Sequence, residues 1–178
     1  MKSQKGITLV ALVVTIVVLL ILAGTSIAML SGDNGIITNA QKSTYANTEG
    51  EVMDKIKMAF NTVKTEVIAK SATISTYKAT DTDNLLALAN LVAKDLGGTG
   101  NITTTTADAT TSKEAIGNYT VSVSGSASGS VITVKYDDGK SFTGTAGSNT
   151  PPYGAISYTI TITDTNATLG SYSAQVIQ

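Results

Sequence analysis

The chain has 178 residues, enough for one membrane-spanning helix and one modest globular domain. It contains no cysteine and no histidine, which excludes disulfides, thiol catalysis and zinc-thiolate sites and removes the commonest general base. A formal net charge of −1 gives no reason to expect attraction to nucleic acid or to anionic lipid. We therefore expect a protein that is not an enzyme, with no cofactor, no metal and no specific nucleic-acid partner.

The chain begins with a short basic leader that is followed by a long apolar segment. Lys2 and Lys5 lie in the leader, residues 1–6, and every residue from 7 to 30 is uncharged. A helix of that length measures about 36 Å at ~1.5 Å per residue, and the hydrocarbon layer of a bilayer is roughly 30 Å thick. We predict one transmembrane helix over residues 7–30, with the leader on the cytoplasmic side.

The junction between leader and helix resembles the N-terminal processing segment of type IV pilins and of the pilin-like subunits (pseudopilins) of type II secretion systems. Lys5, Gly6 and Ile7, followed directly by the uncharged helix, carry this resemblance. In that family a prepilin peptidase cleaves after the glycine, and the new N-terminus is methylated. The resemblance therefore implies cleavage between Gly6 and Ile7, with the apolar helix retained.

The resemblance also implies that the retained helix packs with copies of itself and with other pilin-like subunits in a filament core. The implied packing residues are Leu9, Val10, Ala11, Val13, Ile16, Val17, Leu20, Ala23 and Gly24. The family typically has a Glu where this chain has Ala11, and that Glu meets the N-terminal amine of a neighbouring subunit. Here the amine must instead stay near solvent or headgroups, be neutralised, or use an acceptor such as the hydroxyl of Thr8 or Thr15.

Two simpler interpretations of the apolar segment stay open. The tripeptide Ser26-Ile27-Ala28 fits the small-x-small pattern of a signal-peptidase site, which would make the segment a secretory signal peptide. A plain membrane anchor is the other interpretation, and it needs no glycine at the boundary. Under either of them the protein would be a secreted or membrane-anchored surface module that binds carbohydrate or mediates adhesion.

Residues 31–70 are predicted to form a kinked, amphipathic continuation of the helix. Gly32 and Gly35 bracket two turn-prone residues, Asp33 and Asn34, so we expect the helix to break there. Apolar residues then recur every three or four positions, which predicts one buried helical stripe. Its members are Val52, Ile56, Phe60, Val63 and Val67.

Residues 71–116 are predicted to form a variable connecting region with one short helix over 83–96. Asp81 or Asp83 would cap this helix, and Gly97 and Gly98 would end it. From Gly117 onward the apolar period changes from 3.6 to 2, which predicts an antiparallel sheet over residues 117–178. The predicted fold class is therefore α+β, with a long N-terminal helix packed on an antiparallel sheet in a pilin-like layout.

The sheet is predicted in some detail. We expect strands over residues 119–123, 131–136, 141–143, 158–162 and 172–177. Residues 124–130, which consist mainly of serine and glycine, are expected to form a flexible loop. Residues 137–140, Asp-Asp-Gly-Lys, carry a strong signal for a two-residue hairpin turn.

Few residues suggest chemistry. The acid pairs Asp81/Asp83 and Asp137/Asp138 lie where Asp usually caps a helix or closes a turn, so we expect a structural role for both pairs. Tyrosines could form an aromatic surface for glycans or an electron-hopping path, although in strands they more often fill half-buried positions. They are Tyr119, Tyr136, Tyr153, Tyr158 and Tyr172. The tripeptides that begin at Asn101 and Asn118 match the N-glycan acceptor pattern.

The function predicted from these features is that of a structural subunit. It would wait in the cytoplasmic membrane as a single-pass protein, lose residues 1–6, and join an extracellular filament used for adhesion, motility, DNA uptake or secretion. The partners implied by the resemblance are a prepilin peptidase, an assembly platform in the membrane and a cytoplasmic ATPase. A mature chain that starts at Ile7 would favour the filament, whereas a start at Met29 would favour a secreted module.

Overall fold

The computed structural model describes residues 4–32, 34–106, 112–126, 129–148, 150–163 and 167–168. These residues form three helices followed by a five-stranded antiparallel sheet, which confirms the predicted α+β class. The helices are α1 (Gln4–Ser31), α2 (Ile36–Thr73) and α3 (Thr82–Asp95). The strands are β1 (Lys113–Ile116), β2 (Tyr119–Ser126), β3 (Gly129–Tyr136), β4 (Ile156–Ile162) and β5 (Ala167–Thr168).

The chain divides into two compact units, Met1–Ala46 and Asn47–Gln178, and α2 runs across the division. The first unit contains α1 and the beginning of α2. The second unit contains the rest of α2, α3 and the sheet, and it has an apolar core of its own. The core of the second unit therefore forms around the sheet and the helices that cover it.

In the second unit, the predicted apolar stripe of α2 is confirmed. Val52 is 3% exposed and the other four members, Ile56, Phe60, Val63 and Val67, are fully buried. The ring of Phe60 lies against that of Tyr158 on β4, with 5.2 Å between the ring centroids. The spacing of three and four residues keeps these side chains on one side of the helix, and that side packs against the sheet.

The sheet is a meander in which neighbouring strands along the chain are also neighbours in space. Its residues alternate between a buried and a partly exposed face, as the period of two requires. Val121, Val123, Ile132 and Val134 point to the buried face, and β4 follows the same alternation. The other face is rich in hydroxyls, and Thr133 and Thr159 meet across it with 3.2 Å between their Oγ1 atoms.

Helix α3 forms within one residue of the predicted bounds. Its apolar side, which includes Leu85, Leu88 and Val92, is buried, and the helix contacts β2. Asp81 occupies the N-cap position, but its side chain makes no hydrogen bond to the helix. Gly97 follows the end of the helix with a φ of +96°, a conformation that glycine adopts without steric cost.

Three predictions about the sheet region were wrong. The sheet begins at Lys113, not at Gly117, because a short edge strand pairs with β2 through a tight turn at Gly117 and Asn118. The expected loop over residues 124–130 is largely strand, since Ser124 pairs with Val131 and Ser126 with Gly129. Low strand propensity is outweighed here by a ladder of hydrogen bonds that simply continues from the apolar part of both strands.

The third error concerns residues 137–143, where no hairpin and no strand forms. The Asp138 carboxylate accepts the N–H groups of Lys140, Ser141 and Phe142, at 2.9, 2.7 and 3.2 Å, so the chain turns away from β3. The strand that pairs with β3 on the side away from β2 is β4, which follows a longer connection. Phe142 is buried there, with its ring centroid 5.2 Å from that of Tyr136. The predicted last strand, 172–177, lies outside the described residues.

Candidate functional site

The apolar surface of α1 is the most distinctive feature of the described chain. Leu9–Leu30 is 22 residues long, is apolar enough to cross a membrane, and has none of its residues buried. Its large apolar side chains are between 47% and 74% exposed. Contact of such a surface with water is unfavourable by ~25 cal/mol per Å². This helix therefore needs an apolar environment that the single chain does not provide.

The predicted packing residues lie within this surface, but they are no more exposed than the apolar residues between them. Leu9, Val10, Val13, Ile16, Val17 and Leu20 are 48% to 67% exposed, and the apolar residues between them, such as Leu12 and Leu19, are exposed to a similar extent. Ala11 and Ala23 are also exposed, and a Cβ added to Gly24 would meet no atom within 4 Å. The apolar surface thus extends around the whole helix, as on a helix that faces lipid or other helices on all sides.

Three hydroxyl groups of α1, those of Thr15, Thr25 and Ser26, do not interrupt this surface. Thr15 donates to the carbonyl of Leu12 at 2.8 Å, and Thr25 and Ser26 both donate to the carbonyl of Leu22, at 3.0 and 2.7 Å. The hydroxyl hydrogens of these three residues are therefore satisfied by the helix's own backbone, which is what an apolar environment demands of a polar group. The Thr15 oxygen keeps acceptor capacity, as the suggested role toward an N-terminal amine requires.

The predicted processing site lies near the start of α1. The helix begins at Gln4, so the backbone at Lys5, Gly6 and Ile7 is already helical and the leader does not end at a helix boundary. The peptide bond between Gly6 and Ile7 therefore lies in the first turn. The N–H groups of a first turn lack partners within the helix, so this is the part of a helix that opens at least cost.

The predicted helix break coincides with the segment between α1 and α2. The N–H of Gly35 donates to the carbonyl of Gly32 at 2.7 Å, and Asn39 N–H donates to Gly35 at 3.0 Å, which starts the second helix. A Cβ at Gly35 would lie 2.6 Å from the carbonyl oxygen of Leu30, and one at Gly32 would lie 2.7 Å from that of Ala28. Both positions therefore require glycine, because the backbone approaches itself too closely for any side chain.

Asp137 and Asp138 accept backbone N–H groups of one turn, although not of the predicted hairpin, whereas Asp81 makes none of the predicted capping hydrogen bonds. Asp138 holds its turn as described above, and Asp137 accepts the N–H of Gly139 at 2.9 Å. Burial alone would raise the pKa of the Asp138 carboxyl, but the backbone N–H groups of the turn lower it below its ordinary value. Asp81 and Asp83 lie at the start of α3. Nowhere in the described ranges do three acidic side chains gather into a group that could hold a metal ion.

Of the five tyrosines singled out in the sequence, the four that the structure describes do not form a shared exposed surface. Tyr153 and Tyr158 are buried, and Tyr119 and Tyr136 are half-buried and meet edge to face with 5.0 Å between centroids. Tyr172 lies outside the described residues. The half-buried strand interpretation therefore fits the described tyrosines better than an aromatic binding surface does.

One polar cluster was missed by the sequence analysis. The Glu114 carboxylate on β1 accepts the N–H groups of Thr99, Gly100 and Asn101 at 2.7 to 3.0 Å, and the Thr99 hydroxyl at 3.0 Å. Burial would raise the pKa of Glu114, but these donors lower it below its ordinary value. Asn90 holds Ile102 nearby by two further hydrogen bonds. Donors and acceptors lie more than ten positions apart, so no local pattern announces the cluster.

Comparisons of the whole chain with protein-family models, with curated proteins and with solved structures give no match. Function must therefore be inferred from the surface of α1 and from the folded second unit. The part of the chain that the structure describes offers one feature for that inference, an apolar helix that no other part of it covers.

Proposed function

We propose that this protein is a structural subunit of a filament, held in the cytoplasmic membrane through α1 before assembly and joined to other subunits through the same helix afterwards. The leader would be removed by a prepilin peptidase between Gly6 and Ile7. The second unit would be displayed outside the cell. Assembly would depend on a membrane platform and would place copies of α1 side by side in a polymer of this chain.

One observation carries the proposal: α1 is apolar and exposed around its whole circumference, while the second unit buries its own core separately. A helix that served only as part of a soluble core would hide one side. A helix that passes from lipid to a bundle of like helices needs an apolar surface on all sides, because both environments are apolar.

The energetics of assembly constrain which contacts matter. Leaving lipid for neighbouring helices gives little hydrophobic gain, so association must come from close packing of side chains and small residues. Ala11, Ala23 and Gly24 provide places where two helices can approach closely. The absence of charge between residues 7 and 30 means that no ion pair has to be broken or buried during the transfer.

N-terminal sequencing of the protein from producing cells, in sheared surface material and in membranes, tests this proposal. We expect the sheared material to contain filaments whose subunits start at Ile7, and the membrane to contain unprocessed and processed chains. Gly6→Glu should leave the chain in the membrane with its leader, because a large charged side chain would block the peptidase. Gly50→Glu is the matched control, since it lies on the exposed side of α2 with open space around it.

The alternative functions give different results in the same experiment. A mature chain that starts at Met29 would identify α1 as a secretory signal peptide and would contradict the filament. A chain that keeps Met1 and is found in membranes without any polymer would identify α1 as a plain anchor for a surface binding module. Normal processing of Gly6→Glu would refute the assigned cleavage site.

A further inference from the structure

The turn between β1 and β2 presents an asparagine in a setting suited to covalent modification. We propose that Asn118 is the attachment site of an N-linked oligosaccharide, and that Asn101, which matches the same sequence pattern, is not. This inference rests on the proposed function in one respect, because the second unit must lie outside the cytoplasm. It otherwise depends on the local structure of the two asparagines.

Asn118 occupies the second position of a two-residue turn at the end of an antiparallel hairpin. Ile116 and Tyr119 pair on either side of it, and Gly117 has a φ of +57°, which a tight hairpin turn requires. The residue is exposed, and its carbonyl accepts the N–H of Asp137 at 2.9 Å, so the backbone of the turn is held in place. An enzyme can therefore reach the side chain without unfolding the sheet.

The side-chain amide of Asn118 is only weakly engaged. Its Nδ2 contacts the Tyr136 hydroxyl at 3.5 Å, the outer limit for a hydrogen bond. Thr120, the third residue of the acceptor tripeptide, lies in β2 on the partly exposed face of the sheet. Both groups that an oligosaccharyltransferase reads, the amide and the hydroxyl, thus belong to one exposed turn and its adjoining strand.

Asn101 and its Thr103 are also exposed, but the side-chain amide of Asn101 and the middle residue of its tripeptide are firmly held. Its Nδ2 donates to the Thr99 hydroxyl at 2.6 Å, and its backbone N–H donates to the Glu114 carboxylate at 2.8 Å. The middle residue of its tripeptide, Ile102, is 2% exposed and is held by Asn90. Modification of Asn101 would have to break the hydrogen bond between its amide and Thr99 and displace a loop that Glu114 holds in place. Asn101 therefore has the acceptor sequence pattern but not a free side-chain amide.

The proposed reaction transfers a sugar from a lipid-linked oligosaccharide diphosphate. The bond between the sugar C1 and the phosphate oxygen breaks, and a bond between C1 and Asn118 Nδ2 forms. The amide proton passes to a base of the transferase, and the lipid diphosphate leaves with the electron pair. Nothing is oxidised or reduced in this step, and the chain supplies only the acceptor amide.

Peptide mass spectrometry of the full chain from producing cells tests the proposal, because trypsin separates the two sites. Cleavage after lysine places Asn101 in the peptide 95–113 and Asn118 in the peptide 114–135. We expect glycan mass on the second peptide, with occupancy roughly fivefold above that of the first, the ratio that one hydrogen bond of ordinary net strength, about 1 kcal/mol, gives. Asn118→Gln and Thr120→Ala should abolish it, whereas Thr120→Ser should retain it.

Labelling of intact cells with a membrane-impermeant amine reagent keeps the two proposals distinguishable. Lys140 is exposed on the second unit and reports whether that unit lies outside the cell. If Lys140 is labelled and Asn118 carries no sugar, or Asn101 carries as much, the glycan inference is overturned while the filament proposal stands. If Lys140 is protected and Asn118 is unmodified, both are overturned.

Discussion

A charge placed in the apolar helix gives the sharpest test of the role proposed for α1. Val17 lies eight residues after Leu9, about 12 Å into the apolar segment at ~1.5 Å per residue, and its side chain is 48% exposed. Since residues 7–30 carry no charge, an arginine at this position would find no acidic partner on the segment. We expect Val17→Arg to cost about 2.5 to 3.5 kcal/mol of insertion free energy. That corresponds to a shift of the insertion equilibrium by roughly 60-fold to 300-fold, at ~1.4 kcal/mol per tenfold.

The assay is the fraction of chain that resists alkaline extraction from membranes, followed by electron microscopy of sheared surface material. We expect the arginine variant to lose both membrane retention and filaments. Val17→Leu is the matched control, because it keeps the site apolar and helical and should retain both. If Val17→Arg inserts and assembles like the unaltered chain, then α1 neither crosses a bilayer nor packs in an apolar bundle, and the reasoning from its exposed surface fails.

Three further predictions concern the folded second unit and are checked by denaturant unfolding of the full chain in detergent. Phe60→Ala should lower the free energy of unfolding of that unit by about 3 to 5 kcal/mol, because it leaves a cavity against Tyr158. Met58→Ala on the same helix should change it by less than about 0.5 kcal/mol, because Met58 is 70% exposed. Equal effects of the two substitutions would refute the assigned burial of one side of α2. Glu114→Gln should cost about 1 to 2 kcal/mol at neutral pH through weakened hydrogen bonds to the 99–101 loop. Folding lowers the pKa of Glu114 from 4.5, so the ionised carboxylate stabilises the folded state above that pH and this stabilisation is lost as the pH falls through the lowered pKa. The unaltered chain and Glu114→Gln should therefore become equally stable in acid. A stability difference that persists in acid would contradict the role of the carboxylate in holding the 99–101 loop. Gly154→Ala should destabilise the connection before β4, because the added Cβ would overlap the backbone of Ala146, and unchanged stability would contradict that close approach.

Sequence reasoning succeeded where one local pattern determines the structure. The stripe from Val52 to Val67 follows the period of a helix, and burial of one side is the only way such a helix can remove its apolar residues from water. The strands around Val121, Val134 and Ile160 follow the period of a sheet in the same way. Helix α3 ends near Gly97 because a positive φ there suits glycine.

Reasoning from sequence failed where the outcome depends on residues far apart in the chain. The Ser-Gly-rich segment near Ser124 becomes strand because its neighbours are already paired, not because of its own propensity. Asp138 appeared to begin a hairpin, yet three backbone N–H groups converge on its carboxylate and turn the chain elsewhere. Glu114 carried no signal, since its partners become neighbours only after β1 joins the sheet.

Some properties of the candidate sites likewise follow from local sequence, and others depend on residues far apart in the chain. The apolar, uncharged character of residues 7–30 follows from composition alone, because a run of that length has few environments in which it is stable. The sequence by itself also determines which side of α2 is buried and that the second half of the chain forms a sheet. Only the tertiary structure decided that α1 is exposed on all sides, that Asn118 is accessible while Asn101 is clamped, and where the sheet begins. Those properties depend on distances between groups that are remote along the chain, and no periodicity in the sequence records them.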